Sequence, residues 1–196
     1  MPSTTSPEAR AALFSVLREK SFQTGDFTLA SGKKSNYYID CRLTTLDSAG
    51  ACLVGAAMRD LVLTESTTRG VPVSGIGGLT LGADPIAVAT AMISHQAGDD
   101  PPLRPFVVRK EPKGHGGGKQ IEGGFAKGDQ VVALDDVITT GGSTLQAIEA
   151  MEREGGKVAF VAVLVDRQEG GRENIEAAGY PVVALFTRDE LLAGEV

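Results

Sequence analysis

Two segments concentrate groups that handle anions. The first is Val131-Val132-Ala133-Leu134-Asp135-Asp136-Val137-Ile138-Thr139-Thr140-Gly141-Gly142-Ser143-Thr144. An apolar strand ends in two adjacent carboxylates, and a turn rich in hydroxyls and glycines leads directly into a helix. Unpaired backbone N–H groups and the dipole at a helix start, joined by Thr and Ser hydroxyls, make a cradle for phosphate. Asp135 and Asp136 repel phosphate, so they must serve something beside it, either ribose hydroxyls or waters on a divalent cation. An isolated Asp-Asp pair more often just ends a strand and caps its turn; the string around it reverses that reading.

The second segment is Arg109-Lys110-Glu111-Pro112-Lys113-Gly114-His115-Gly116-Gly117-Gly118-Lys119. Its four Lys and Arg side chains face only Glu111, in a chain whose net charge is −6. Charge with glycine usually means a solvated loop. A positive island after a strand end on an acidic protein instead fits a polyanion site, and Gly114–Gly118 would let the loop close over substrate. Two familiar phosphate motifs fail. Lys113 and Gln120 occupy positions that a Walker A loop reserves for Gly and Ser/Thr, and Thr80 replaces the third glycine of a dinucleotide fingerprint begun by Gly75-Ile76-Gly77.

Positioning these groups requires strands that end at one edge. Ser6-Pro7-Glu8 starts a helix through about Lys20, with Leu13, Phe14, Val16 and Leu17 on one face. Phe27, Leu29, Tyr37, Tyr38 and Ile39 flank the polar turn Ser31–Ser35 and predict a strand pair. Asp47 or Ser48 caps a second helix, with the pairs Leu53/Val54, Ala57/Met58 and Leu61/Val62 on its core face. Beyond it the chain alternates. Strands are predicted at Val71–Ile76, Phe106–Val108, Val131–Leu134, Val158–Val165 and Val182–Phe186, with a glycine-rich turn at Gly77–Gly82 and a loop over Lys110–Gly128. Helices are predicted at Asp84–Ser94, Thr144–Glu154 and Arg172–Ala178. Continuously apolar strands alternating with helices mean a parallel sheet covered on both faces. The expectation is one α/β domain over residues 1–196. A small N-terminal α+β part (about 1–46) precedes the parallel core (about 71–187). Ligands of such sheets bind at the carboxyl ends of the strands, where both segments fall.

Composition narrows the function. The 196 residues are 42% hydrophobic and 22% charged, ordinary for a folded soluble chain. Glycine is the outlier at 25 residues, against a usual share of roughly 7%. A pI near 5.0 disfavours nucleic acid and anionic membranes as partners. Cys41 and Cys52 match no zinc, haem or redox spacing and read as buried or neutral thiols. No secretory start and no membrane-length apolar run are present, so a cytoplasmic location is expected.

The Val131–Thr144 string is similar to the phosphoribosyl diphosphate (PRPP) signature of type I phosphoribosyltransferases. Arg-Lys-Glu-x-Lys-x-His-Gly at 109–116 resembles the catalytic loop of orotate phosphoribosyltransferases specifically. Phe27–Ser35 with Tyr37-Tyr38 looks like that family's hood over the base. Ile76–Asp84 looks like its diphosphate-binding turn, and Asp166-Arg167-Gln168-Glu169 matches the position whose arginine meets the orotate carboxylate. The resemblance implies PRPP contacts from Arg109, Lys110, Lys113, His115, Asp135, Asp136, Val137, Ile138, Thr139, Thr140, Gly141, Gly142 and Ser143. Among them Lys113, His115, Asp135 and Asp136 would be catalytic. Thr139 and Arg167 would bind orotate, the arginine because its planar donors grip a carboxylate. Mg2+ would be held mainly by PRPP, with water-mediated help from Asp135 or Asp136. A homodimer would let loop 109–119 act on the partner's site. The sequence departs from the family at Ala30, where some members carry a lysine, and near Leu81-Gly82, where some carry a Tyr-Lys pair. The implied reaction joins orotate to PRPP, giving orotidine 5′-monophosphate and diphosphate in UMP biosynthesis. A transferase for uracil, adenine or xanthine is argued against by the loop and Asp166-Arg167. A PRPP-sensing regulator that binds nucleic acid is argued against by the acidic pI.

Overall fold

Pro7 in the first turn and the Leu13, Phe14 and Leu17 stripe give helix α1 (Pro7–Lys20). It opens a computed structural model that describes residues 7–28, 34–112 and 119–194. The expected strand pair follows as β1 (Phe22–Thr28) and β2 (Lys34–Ile39), antiparallel with Phe22 opposite Ile39 and a bulge between Thr24 and Phe27. Aromatic contacts bind the pair, Phe22 stacking on Tyr37 at 6.0 Å and Phe27 meeting Tyr38 at 5.6 Å. A short helix that no periodicity announced, α2 (Arg42–Thr45), leads to α3 (Ser48–Arg69). Asp47 caps α3 by accepting from Gly50 N at 2.9 Å, and Gly70 ends it with φ +64°.

The remaining elements are β3 (Gly75–Leu79), α4 (Ala83–Gln96), β4 (Arg104–Val108), β5 (Ile121–Gly123), β6 (Gln130–Ile138), α5 (Gly142–Arg153), β7 (Lys157–Asp166), α6 (Gly171–Ala177), β8 (Val182–Thr187) and α7 (Arg188–Ala193). Of the eight strands in the described residues, six form one sheet ordered β5-β4-β3-β6-β7-β8, separate from the β1–β2 pair. Every pairing in the large sheet is parallel except β4 with β5. Strands β6 and β7 show why their sequences are continuously apolar. Val132, Leu134, Phe160, Ala162 and Leu164 pack on the face covered by α1, α3 and α4. Val131, Ala133, Val161 and Val163 pack on the other, against α5 and α6. Each such Val, Leu or Phe buried contributes about 1.5–3 kcal/mol. The α/β class with its small N-terminal addition stands as expected.

Four local expectations change. The strand expected at Val71–Ile76 lies at Gly75–Leu79, so Gly77 and Gly78 belong to the sheet and the turn is confined to Thr80–Gly82. Glycine is needed there for close packing: a Cβ on Gly78 would stand 1.9 Å from Leu134 O. The strand expected to stop at Leu134 continues to Ile138, which carries the acid pair inside its last turn of pleat. The loop expected over 110–128 contains the edge strand β5. Of the two thiols, Cys41 is buried but Cys52 is exposed on α3. At the far end Thr187 and Glu190 form a capping box for α7, and Arg10 reaches across from α1 to Glu190 at 2.7 Å and Leu185 O at 3.0 Å. No helix of the described residues is long and apolar enough to cross a membrane.

Candidate active site

The sheet order reverses direction between β3 and β6, since β4 lies on one side of β3 and β7 beyond β6. A crevice opens at such a switch point, outside the carboxyl ends of the two strands. Thr80–Gly82 leaves β3 there, and Asp135–Ile138 ends β6 there.

The two carboxylates have different tasks. Asp135 is 7% exposed. Its Oδ2 accepts from Ser143 Oγ at 3.0 Å and Thr144 Oγ1 at 2.7 Å, and its Oδ1 accepts from Asp136 N at 3.1 Å. It therefore ties β6 to the first turn of α5 and fixes the cradle. Burial pushes the Asp135 carboxyl up, opposed by the Thr144 and Ser143 hydroxyls. Asp136 lines the cleft, and burial followed by the neighbouring Asp135 charge pushes its carboxyl up to about 7. Space for Asp136 depends on Gly82, because a Cβ there would come 2.1 Å from Asp136 Oδ1. Gly141, at φ +80°, turns the chain into α5. Asn174 Nδ2 braces the same turn by donating to Thr140 O at 3.1 Å.

Two adjoining hollows form the cleft. One of about 500 Å3 is lined by Ser143, Gln146, Asp135, Asp136, Leu79 and Lys110. The other, about 520 Å3, shares Thr80, Gly82, Lys110, Asp136 and Val137 and extends to Tyr38, Asp40 and Arg42. Thr139 and Val137 are half-buried beside it, while Thr140, Gly142 and Ser143 are exposed. Ile138 is different. Its side chain is buried in the core and its carbonyl accepts from Arg167 N at 3.1 Å. Arg109 and Lys110 are exposed, and their carbonyls are held by Gln120 Nε2 at 2.7 Å and Gln146 Nε2 at 3.2 Å. Lys113 and His115 lie outside the described residues, as do Leu29, Ala30 and most of the expected turn of the strand pair.

Arg167 stands after β7, apart from the acid pair. Its Nη2 meets Glu169 Oε1 at 2.9 Å, its guanidinium lies 5.2 Å from the Tyr37 ring centroid, and its buried Nε has no partner. Tyr37 Oη donates to the same Glu169 oxygen at 2.6 Å. Tyr37 and Glu169 line a third hollow of about 710 Å3, with Lys34, Asn36 and Arg188. A partly satisfied planar cation beside an aromatic ring suits a flat, carboxylate-bearing ligand.

Sequence reasoning missed three participants: Tyr37 as a partner of Glu169, Gly82 as the space for Asp136, and the Asp40–Arg42 pair. For that pair a signal existed, since Asp40-Cys41-Arg42 follows the apolar end of a strand. Among the described residues no group of three or more His, Cys, Asp and Glu could hold a metal. With Asp135 committed to hydroxyls, Asp136 is the carboxylate that offers an oxygen to a hydrated cation, which fits an ion held chiefly by its substrate.

Over residues 100–179 the sequence matches the family described as Phosphoribosyl transferase domain. It is 46% identical to an orotate phosphoribosyltransferase of Rhodopirellula baltica over 177 residues, covering 90% of this chain and 91% of the relative. Identity to that of Aquifex aeolicus is 47% over 186 residues, covering 93% and 97%. Among solved structures, the Mycobacterium tuberculosis orotate phosphoribosyltransferase in complex with PRPP superposes with a TM-score of 0.75 at 38% identity, covering 93% of this chain and 98% of that one.

Proposed function

The chain belongs to the orotate phosphoribosyltransferase family, and we propose from that premise how its cleft transfers the 5-phosphoribosyl group of PRPP to orotate. The observation that carries the reading is the set of groups that meet in the cleft. Ser143 at the start of α5, the acid pair, and the cations Lys110 and Arg42 line two adjoining hollows that share Asp136. A sugar carrying phosphate and diphosphate suits that set. Thr139, Thr140, Gly141, Gly142 and Ser143 hold the 5′-phosphate by backbone donors and hydroxyls, which supplies positioning. Val137 and Ile138 contribute main chain. Asp136 meets the ribose hydroxyls and the positive charge that grows on the ring as the anomeric C–O bond breaks; Asp135 holds the cradle to it. Arg109, Lys110, Lys113 and His115 close over the departing diphosphate and stabilise its negative charge. Arg167 and Thr139 hold orotate, whose carboxylate takes the guanidinium beside Tyr37.

Mg2+ bound to the diphosphate would neutralise the leaving group's charge, with Asp136 reaching it through water. A homodimer in which loop 109–119 serves the partner's site is supported by the exposed apolar side chains of Leu43 on α2, Leu46 just after it, and Val88 and Met92 on α4. We read the enzyme as cytoplasmic, and its net charge of −6 disfavours nucleic acid and anionic membranes as partners. Diphosphate release from PRPP tests the reading: orotate triggers it, while uracil, adenine and xanthine do not. Release triggered equally by another base, or by none, overturns it.

A further inference from the structure

Resting on that reading, we infer that Arg42 is a diphosphate-binding residue, the side chain that supplies the cation missing from the Thr80–Gly82 turn. The turn carries no charged side chain: Leu81 is 68% exposed and Gly82 is reserved for Asp136. Yet this turn lines both hollows of the cleft, with Asp136 in each. Arg42 lines the hollow that this turn shares with Asp136 and Lys110. Its position is built rather than accidental. Nε donates to Asp40 Oδ1 and Nη2 to Asp40 Oδ2, both at 2.8 Å, while Asp40 Oδ1 also accepts from Arg42 N at 3.1 Å. Asp40 is only 17% exposed, whereas the arginine side chain is 49% exposed. The fork is thus clamped on one edge by a nearly buried carboxylate, leaving Nη1 and the second Nη2 proton for a ligand. A guanidinium held flat in this way pairs with phosphate oxygens at little cost in rotamer freedom. Asp40, and beyond it Asp136, favour the charged form of Arg42. Arg42 and Lys110 line the same hollow, which therefore carries two cationic side chains.

The test compares wild type with Arg42→Ala and Arg42→Lys. It measures calorimetric affinity for inorganic diphosphate with Mg2+, affinity for orotate, and KM for PRPP. Loss of a charge-assisted contact predicts a weakening of about tenfold or more for diphosphate and for PRPP in the alanine variant. The lysine variant recovers part of it, and orotate affinity and melting temperature stay near wild type. If Arg42→Ala does not fold, Arg42→Gln, an uncharged and shorter side chain that retains an N–H donor for Asp40, carries the same comparison. Unchanged diphosphate affinity, or equal losses for diphosphate and orotate, overturns the assignment while wild-type turnover leaves the transferase reading standing. A wild type inert toward PRPP overturns both.

Discussion

At the level of single residues, the adjacent carboxylates illustrate how one dipeptide divides two tasks. Asp135 is spent on Ser143 and Thr144, and Asp136 is left in the cleft with its carboxyl pushed up to about 7. A carboxyl raised above its ordinary value of 3.8 is costly to ionise in the folded protein. The stability linked to it is present in full below that ordinary value and is lost as pH rises through about 7. Asp136→Asn removes the penalty. We expect the variant to melt about 3 °C or more above wild type at pH 8 and to match it near pH 4, while its turnover of PRPP collapses. Melting curves across that range check this; parallel curves would show that another group titrates. The string around these acids was legible because phosphate recognition needs hydroxyls and glycines in a continuous turn. What the string did not reveal was which acid is available, since that depends on donors folding back from α5.

For the secondary-structure elements, the strands and long helices were readable from periodicity, and their ends were not. Strand β3 illustrates the reason. Its sequence Gly75-Ile76-Gly77-Gly78-Leu79 reads locally as a turn, and only neighbours on both sides, Phe106 and Leu134, make glycine a requirement of packing. Helix α2 escaped notice because Arg42–Thr45 is too short to show a period. Strand β5 did so because three residues paired antiparallel at an edge carry no apolar run. The turn after β3 gives an element-scale prediction. In Gly82→Ala the new methyl meets the Asp136 carboxylate, so either the turn or the acid must move. We expect the PRPP KM to rise about tenfold with a smaller effect on orotate, measured by steady-state kinetics in each substrate.

For the molecule as a whole, sheet order is what no local pattern contains. The reversal between β3 and β6 brings residues 56 positions apart, Gly78 and Leu134, into one ladder and opens the cleft above them. The proposed traffic of loop 109–119 between copies is also a property of the assembly, and mixing tests it. Lys113→Ala and Asp136→Asn are each expected to be nearly inactive. Co-refolded, they form mixed dimers in which one site carries both defects and the other neither, so about a quarter of wild-type activity returns. Activity that stays at the level of the parents would mean that each loop serves its own chain. The β3 ladder bears on redesign as well. A Cβ on Gly77 would strike Phe106 O at 2.1 Å, one on Gly78 Leu134 O at 1.9 Å, and one on Gly82, in the turn that follows, the Asp136 carboxylate at 2.1 Å. Evolution in the laboratory toward altered acceptors or leaving groups will find that stretch closed to variation. Libraries directed instead at Tyr38 and Leu81, both exposed side chains lining the cleft, reach the same ligand from positions that face solvent.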